Sequence, residues 1–501
     1  MFQQQETRSW YQTLPGLIIL CVLLPPVGIV LLWTRRGSPI LAKAFITVAL
    51  LVLSVGYIFL FKGWRRSGQA EAHYDVVEQD RARQRSEAAQ QPNAQQPQAS
   101  PGQPNAASSP GAEVALAHAT RNYWTNYRGP NRDGRYEEVP VLTSWPAAGL
   151  TPIWKQPVGI GWASFSVADG AAFTIEQRRR QEVVAAYDLN TGRELWTQGW
   201  NAEYNDSTGD GPRATPTWDE GRLYALGATG EMRCLDAKTG RVIWAKNILS
   251  ENGASNLPWA MAASPLIVDD KVIVLPGGSG GKSVVAYNKL TGTPVWKSLD
   301  DKQAYVSPML VTLNGRRQVM VVSAARVVGL VPETGALLWS HPWDTNMGIN
   351  VSQPIIVGPN RFFISSGYGK GAALVEVNGA NTKTIWENIN MKNKFNSSVL
   401  YEGHVYGLDE GILTCVDVNT GERKWKGGRY GYGQVVLAGS NLIVITDAGE
   451  LALVRAASDQ FSEVARFQAI EGQTWNYPAI ASGRLLVRNA NQMAAFNIAA
   501  R

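Results

Sequence analysis

The 501-residue chain reads as an all-β protein, an eight-bladed β-propeller carried behind a membrane hairpin and a linker. Three observations lead there. One short unit recurs through the chain. The tryptophan that closes it returns at near-constant intervals. A stray strand lies one period ahead of the first complete unit, where it can complete the last.

The unit runs Ala-Tyr-Asp-Leu-Asn-Thr-Gly-Arg-Glu-Leu-Trp at 186–196 and Cys-Leu-Asp-Ala-Lys-Thr-Gly-Arg-Val-Ile-Trp at 234–244. It returns at 286–296, 329–339 and 415–425, each time closing on Thr-Gly-x-x-x-Trp. An apolar run ends in a turn where Gly supplies positive φ, and a short strand follows. A Trp at the same place in every module is large enough to wedge between neighbouring sheets, with its N–H free to find a carbonyl.

Trp196, Trp244, Trp296, Trp339, Trp386 and Trp425 are spaced by 48, 52, 43, 47 and 39 residues. The next period falls on Phe467, in a degenerate turn, and the strand 493–498 then ends the last module without an outer partner. Trp154, in Pro152-Ile153-Trp154-Lys155, stands 42 residues before Trp196. A strand here that completes the last module closes the ring, removes two sheet edges and gives eight blades over 116–501.

The Ala/Cys-x-Asp-x-x-Thr-Gly-x-x-x-Trp unit resembles the repeat of the pyrroloquinoline-quinone (PQQ)-like β-propellers, which include quinoprotein alcohol dehydrogenases and the assembly lipoprotein BamB. Trp124…Arg128-Gly-Pro-Asn-Arg-Asp-Gly134, Gly211-Pro-Arg-Ala-Thr-Pro216 and Ser365-Ser-Gly-Tyr-Gly-Lys-Gly371 are similar to a bacterial branch of PQQ-binding-like repeat proteins. The resemblance implies the fold. It implies no single activity, because that superfamily shares a scaffold and not a chemistry.

Ahead of the repeats, residues 14–33 are 20 uncharged residues and 44–61 are another 18. Each is long enough to cross a hydrocarbon core ~30 Å thick. The first lacks the short apolar region and small-x-small site of a cleaved signal peptide. Pro25-Pro26 is a kink that membrane helices tolerate, and Trp10, Tyr11, Trp33 and Trp64 stand at the span ends as interface aromatics. The expectation is a transmembrane hairpin over 1–66, held by membrane lipid. The dense Arg35, Arg36 and Lys43 of the loop place that loop in the cytoplasm and the propeller on the extracytoplasmic side of the cytoplasmic membrane.

The formal net charge of +6 sits in the anchor: residues 1–66 hold seven basic side chains and one acid, leaving 40 of each sign beyond. The basic pI is therefore no argument for nucleic acid. Residues 67–115 read as a linker. Glu71–Glu87 is highly charged and reads as a solvated spacer, with prolongation of the second helix as the alternative. Ala88–Ala112 has no charge, aromatic or branched aliphatic residue and cannot bury enough surface to order itself.

Several motifs invite chemistry and are set aside. Cys234 and Cys415 occupy the same small strand slot in blades 2 and 6, across the ring from each other, too far apart for a disulfide. The quinoprotein dehydrogenases typically carry adjacent cysteines over the cofactor, and no two cysteines are neighbours here. Gly277–Ser283 lacks the first glycine of a phosphate loop and leads into a strand rather than a helix. Asn205–Gly211 lacks the alternating ligands of a calcium loop, and the four histidines show no metal-ligand spacing.

What remains is one end of the ring, where the loops leading into the innermost strands converge with those between the second and third strands. The first set brings Tyr204, Asp210, Arg213, Trp259, Tyr305, Asn350, Lys392, Asn396, Trp475 and Asn476. The second brings Lys282, Arg326, Tyr368, Lys370, Asp409, Glu410 and Arg488. Six cations and several aromatics around one mouth suit a protein partner or an anionic ligand.

Three functions follow. The first is a membrane-anchored, BamB-like binding or assembly scaffold with no catalysis of its own and no cofactor. The second, implied by the quinoprotein resemblance, is a dehydrogenase of alcohol-type substrates, with the cations on PQQ carboxylates, calcium, and Asp409 as base. The missing cysteine pair and the compact domain weigh against it. The third is a propeller sensing a carbohydrate or peptide.

Overall fold

A computed structural model of the protein describes residues 25–34, 39–41, 43–49, 51–52, 73–84, 86–87 and 123–500. The chain divides into two compact units, Met1–Asp75 and Val76–Arg501. In the first, the helix Pro25–Thr34 and helical residues 43–49 meet where Trp33 Nε1 donates to Thr47 Oγ1 and Lys43 Nζ to the Trp33 carbonyl. No helix among the described residues is long and apolar enough to cross a membrane. Much of the spans expected at 14–33 and 44–61 lies outside the described residues, as does most of the linker.

The second unit is an eight-bladed propeller of antiparallel sheets. Blade 1 runs outward through Ser166–Ala168, Ala171–Arg178, Gln181–Asp188 and Glu194–Asn201. Blades 2 to 7 repeat that order over 217–247, 266–298, 309–342, 355–388, 399–429 and 434–468. Blade 8 holds Ala479–Ala481, Arg484–Arg488 and Gln492–Asn497, and its outer strand is Pro152–Pro157, with Trp154 opposite Ala495. The apolar cores lie between blades, as in the cluster of Phe173, Ile175, Leu223 and Ala225 that joins blades 1 and 2.

The repeated Trp and the repeated Thr-Gly turn out to be each other's partners. Trp154 Nε1 donates to the Leu189 carbonyl, Trp196 to Ala237, Trp244 to Lys289, Trp296 to Pro332, Trp386 to Val418 and Trp425 to Ala457, in each case in the turn of the next blade. For Trp154, Trp196, Trp244, Trp296 and Trp386 the indole then lies on the glycine of that turn: a Cβ on Gly192 would stand 2.6 Å from Trp154, and one on Gly240 2.5 Å from Trp196. The turn at Ala457 has no glycine, and Trp425 packs on Phe461 at 5.7 Å. Trp339 departs from the carbonyl contact as well. The blade 5 turn around Gly379 is degenerate, so Trp339 stacks on Phe362 at 5.6 Å and donates to Gln318 Oε1 instead. At the last interface Phe467 takes the place of Trp and packs against Gly149 and Trp145.

Around the channel the inner strands are buttoned together by hydroxyls. The N–H of Ser164 donates to Thr215 Oγ1, Thr215 to Ser264 Oγ, Ser264 to Ser307 Oγ, Ser307 to Gln353 Oε1 and Gln353 to Ser397 Oγ. Ser164 Oγ donates to the Tyr477 carbonyl, joining blades 1 and 8.

Residues 124–136 plug this channel. The Thr125 carbonyl accepts from Trp218 N–H in blade 2, and Arg135–Tyr136 pairs in parallel with Gln434–Ala438 of blade 7. Between them Arg132 donates to the carbonyls of Ser264, Pro265 and Pro308, and Arg128 to that of Ser398 at 2.8 Å while stacking on Tyr477. Both arginines are buried on main-chain carbonyls, and burial pushes Arg132 down to about 9.

The stretch adopted as a solvated spacer is corrected. Residues 73–84 are helical, and their part within the larger unit is packed on the seam between blades 8 and 1. Arg81 is buried there, donating to Gln156 Oε1 and the Pro157 carbonyl, stacking on Tyr187 and facing Glu194 at 3.5 Å. Burial alone would push the Glu176 carboxyl up, but Arg178, Arg488 and Arg81 together hold it below its usual range.

Candidate functional site

Above the plug the channel opens into a cup of about 630 Å³. Such a volume is ordinary for a small-molecule pocket. Nine aromatic rings line it: Tyr127 from the plug, Trp162, Trp259, Tyr305, Tyr368, Phe395, Tyr432, Trp475 and Tyr477. All but Tyr127 sit on or beside the loops leading into inner strands or between second and third strands, which is why so many blades contribute one ring each.

The rings meet at tilted angles rather than in stacks. Trp162 and Trp475 are 5.1 Å apart at 35°, Trp475 and Phe395 4.7 Å at 56°, and Phe395 and Tyr432 5.0 Å at 45°. Trp259 and Tyr305 form a second pair, 5.9 Å apart at 54°. Burial pushes the Tyr305 phenol up to about 12 and raises those of Tyr127 and Tyr368, so these hydroxyls stay protonated at neutral pH.

Two cations reach the cup, Arg213 and Lys394, from the loops entering blades 2 and 6 on opposite sides of the ring. Arg213 is pinned to the carbonyls of Gly211 and Gly209, at 2.5 and 2.7 Å, and stacks on Tyr204; burial lowers its pKa. The Lys394 ammonium lies over the Tyr432 ring at 4.6 Å and the Tyr368 ring at 5.5 Å. The described lining contains no carboxylate.

Of the residues expected at the mouth, the structure brings Arg213, Trp259, Tyr305, Tyr368 and Trp475 into the cup, and Tyr204 beside it with its hydroxyl on the Pro258 carbonyl. The other cations are corrected. Arg488 is buried in the blade wall on the carbonyl of Gly159 and Thr174 Oγ1. Arg326 makes a bidentate pair with Asp301 at 2.7 Å. Lys370 pairs with Glu387, and Lys392 pairs with Asp409 and Glu410. Lys282 stands in a tight loop closed by the Gly278–Lys282 bridge and does not line the cup. Asn350, Asn396 and Asn476 are buried struts; Asn350 Nδ2 ties the Ser323 and Trp343 carbonyls together.

Sequence reasoning missed Tyr127, Trp162, Lys394, Phe395, Tyr432, Gln434 and Tyr477. Lys394 and Phe395 sit between the named Lys392 and Asn396, and only backbone geometry decides which of these five consecutive residues turn inward. Tyr127 carried the signal of the Trp124–Gly134 motif but no hint that this segment enters the channel.

The eight blades, the Trp-on-Gly interfaces and the Asp-x-x-Thr-Gly turns make an eight-bladed β-propeller whose repeat is similar to that of the PQQ-like, BamB-like propellers. The family description "Outer membrane protein assembly factor BamB" matches residues 180–427. The chain is 23% identical over 371 residues to Outer membrane protein assembly factor BamB of Burkholderia pseudomallei, covering 64% of this chain and 91% of that one. It is 27% identical over 194 residues to Quinoprotein ethanol dehydrogenase of Pseudomonas putida, covering 33% and 31%. The chain thus spans about a third of the length of that dehydrogenase. Among solved structures, quinohemoprotein alcohol dehydrogenase from Comamonas testosteroni superposes with a TM-score of 0.57 at 15% identity, over 78% of this chain and 83% of that one. That likeness is one of fold.

The quinoprotein relatives raise PQQ with calcium, and the donor set of the cup does not fit it. A calcium ion takes six to eight oxygen ligands, with carboxylates prominent among them, and the described lining offers none. Among the described residues no group of three or more His, Cys, Asp or Glu could hold a metal ion. Asp409, the candidate base, is 1% exposed and held by Lys426 at 2.5 Å and Lys392 at 3.0 Å. Cys234 and Cys415 are buried in different blades, their thiols pushed up to about 11 and 12 by burial.

Proposed function

We propose that the protein is a membrane-anchored, extracytoplasmic binding scaffold without catalysis of its own, and that the aromatic cup is its working face. The observation that carries this reading is the cup's composition: nine rings and two cations, with no carboxylate among its described lining residues to act as base or metal ligand. A positioned general acid or base is the commonest catalytic device at such a site, whereas exposed aromatics in a concave wall are a common binding device. The BamB relatives, named for assembly of outer-membrane proteins, support a protein partner. The two apolar N-terminal stretches support the anchor, and the charge of the loop between them supports the orientation.

A second reading, a PQQ-dependent alcohol dehydrogenase, is favoured by the quinoprotein relatives alone. The two separate cleanly. Purified full-length protein mixed with PQQ, calcium and primary alcohols is expected to reduce no dye. A stoichiometric PQQ complex with calcium-dependent dye reduction would install the dehydrogenase instead. On the binding side, Trp259→Ala with Trp475→Ala is expected to keep the fold and to weaken partner capture from membranes by ~2–4 kcal/mol; unchanged capture refutes the cup. A reporter fused after Arg501 is expected to be active outside the cytoplasm, and activity only inside refutes the orientation.

A further inference from the structure

We propose that Met347 is a redox-modification site on the lip of the cup, where oxygen transfer to its thioether turns an apolar contact polar and weakens what the cup holds. The weakening rests on the reading of the cup as the working face.

The position stands out twice. Of the chain's eight methionines, Met1 lies outside the described residues, and Met232, Met261, Met309, Met320, Met391 and Met493 are at most 3% exposed. Met347 is 79% exposed and lines the cup. It also sits at φ +67°, in the left-handed region that a residue with a Cβ rarely adopts. Both departures run against stability, because an apolar side chain forgoes burial and the backbone is strained.

The turn around it is braced on either side. The Gly348 N–H donates to the Thr345 carbonyl at 3.0 Å, and Thr345 Oγ1 to the Ile349 carbonyl at 2.9 Å. Trp343 is buried with its indole N–H on Ser366 Oγ, and the buried Asn350 donates to the Trp343 carbonyl at 3.2 Å. The fold thus pins the chain at 343 and 350, and Met347 is the one apolar side chain of the five residues 344–348.

Exposure decides the chemistry, because a thioether needs no deprotonation to react. A sulfur lone pair attacks one oxygen of hydrogen peroxide, and the S–O bond forms as the O–O bond breaks. The departing hydroxide takes the proton from the hydroxysulfonium, leaving sulfoxide and water. Sulfur is oxidised by two electrons and peroxide is reduced by two. The two described cysteines do not compete: Cys234 and Cys415 are buried, and burial pushes their thiols up to about 11 and 12, so little thiolate forms.

The product changes the lip. A thioether is a soft, adaptable partner for apolar and aromatic surfaces. A sulfoxide carries a polar oxygen that loses its water when a guest covers it. The charged side chains of the described lining are Arg213 and Lys394, so the guest drawn in is anionic, and the sulfoxide oxygen opposes it. A methionine sulfoxide reductase restores the original lip.

The test treats the full-length protein with hydrogen peroxide, maps oxidation by peptide mass spectrometry and titrates the aromatic anion anilinonaphthalene sulfonate by fluorescence. Met347 is expected to oxidise at least ten-fold faster than the six buried methionines, and the dye to bind at least three-fold more weakly afterwards. Met347→Gln, which sets a polar acceptor at the same place, is expected to reproduce the loss without peroxide. Met347→Leu, apolar but without sulfur, is expected to show one affinity before and after treatment. Equal oxidation of the buried methionines, dye affinity indifferent to oxidation of Met347, or a peroxide effect that persists in Met347→Leu each overturns the proposal. A dye that fails to bind, or that ignores Trp259→Ala with Trp475→Ala, sinks the cup as working face and the switch with it. A dye that needs both tryptophans but not a reduced Met347 sinks the switch and leaves the cup standing.

Discussion

Two glycines of blade 2 share a backbone conformation and differ in what lies above them. Gly221 has φ +75° with nothing within 4 Å of an added Cβ; Gly240 has φ +73° with the Trp196 ring 2.5 Å away. Alanine at Gly221 carries the left-handed strain of ~1–2 kcal/mol, offset by ~0.4–1 kcal/mol of reduced freedom in the unfolded chain. The expected net loss is ~1 kcal/mol. Alanine at Gly240 carries the same balance plus ~1–3 kcal/mol of overpacking. It also tilts Trp196 away from the Ala237 carbonyl, 3.0 Å from its Nε1, a bond worth ~1 kcal/mol net. Gly240→Ala is therefore expected to cost ~3–5 kcal/mol in urea unfolding of the full chain. Placed in a Trp196→Leu background it should cost no more than Gly221→Ala, because the ring that creates the excess is gone. If Gly240→Ala costs the same as Gly221→Ala in the wild-type background, the glycine serves only the turn and the wedge account is wrong.

Three further outcomes are expected. Arg81→Met, by removing charge-assisted bonds to Gln156 and Pro157 worth ~1.5–3 kcal/mol each, should free residues 76–84 to hydrogen exchange while the blades stay protected; retained protection would deny Arg81 its docking role. Burial pushes the Glu182 carboxyl up to about 7 from 4.5, against the N–H of Ala228 and the indole of Trp200. The folded state then holds this proton more tightly, so stability should fall by about 3 kcal/mol as pH rises from ~4.5 to ~7 and level off above. Glu182→Gln should flatten that window, and an unchanged slope assigns it elsewhere. Deleting residues 116–158 removes both the plug and the outer strand of blade 8 and should unfold that blade and promote association through the bared edge; a monomer with an unchanged melting temperature would dismiss that role.

The blade architecture was legible because one physical constraint recurs from blade to blade. A turn glycine under a neighbour's indole can be neither moved nor replaced without cost, so Thr-Gly and Trp keep their spacing, and the breaks in it are meaningful. The blade 5 turn loses the pattern and Trp339 finds Gln318; Phe467 replaces Trp where Gly149 supplies the facing glycine from the other end of the repeats. The strand at Pro152–Pro157 is paired where the Trp154 period places it. Cup residues obey no such period. Each loop leading inward has its own length, so Lys392 turns to Asp409 while Lys394, two residues on, turns to the channel.

Charge was the least legible property, because sequence reports a cation without its partner. Arg326, Lys370 and Lys392 look like a basic mouth until each is seen with its carboxylate; replacing Arg326 or Lys392 would unpair the buried or half-buried Asp301 and Asp409, and replacing Lys370 the exposed Glu387. The plug arginines make the converse point. Arg128 and Arg132 lie near the channel axis, where the inner strands of blades 3, 4 and 6 present the carbonyls of Ser264, Pro265, Pro308 and Ser398 to them. A propeller with eight blades leaves an opening too wide for side chains of one blade to reach across, and water there would hydrate those carbonyls at the expense of a fixed geometry. Two guanidiniums, with five donors each in a rigid fork, satisfy them from the axis and hold Tyr127 and Tyr477 at the base of the cup. The segment that closes the channel is thus also the segment that shapes the site. That is why a ligand reading becomes possible only once the plug is in place.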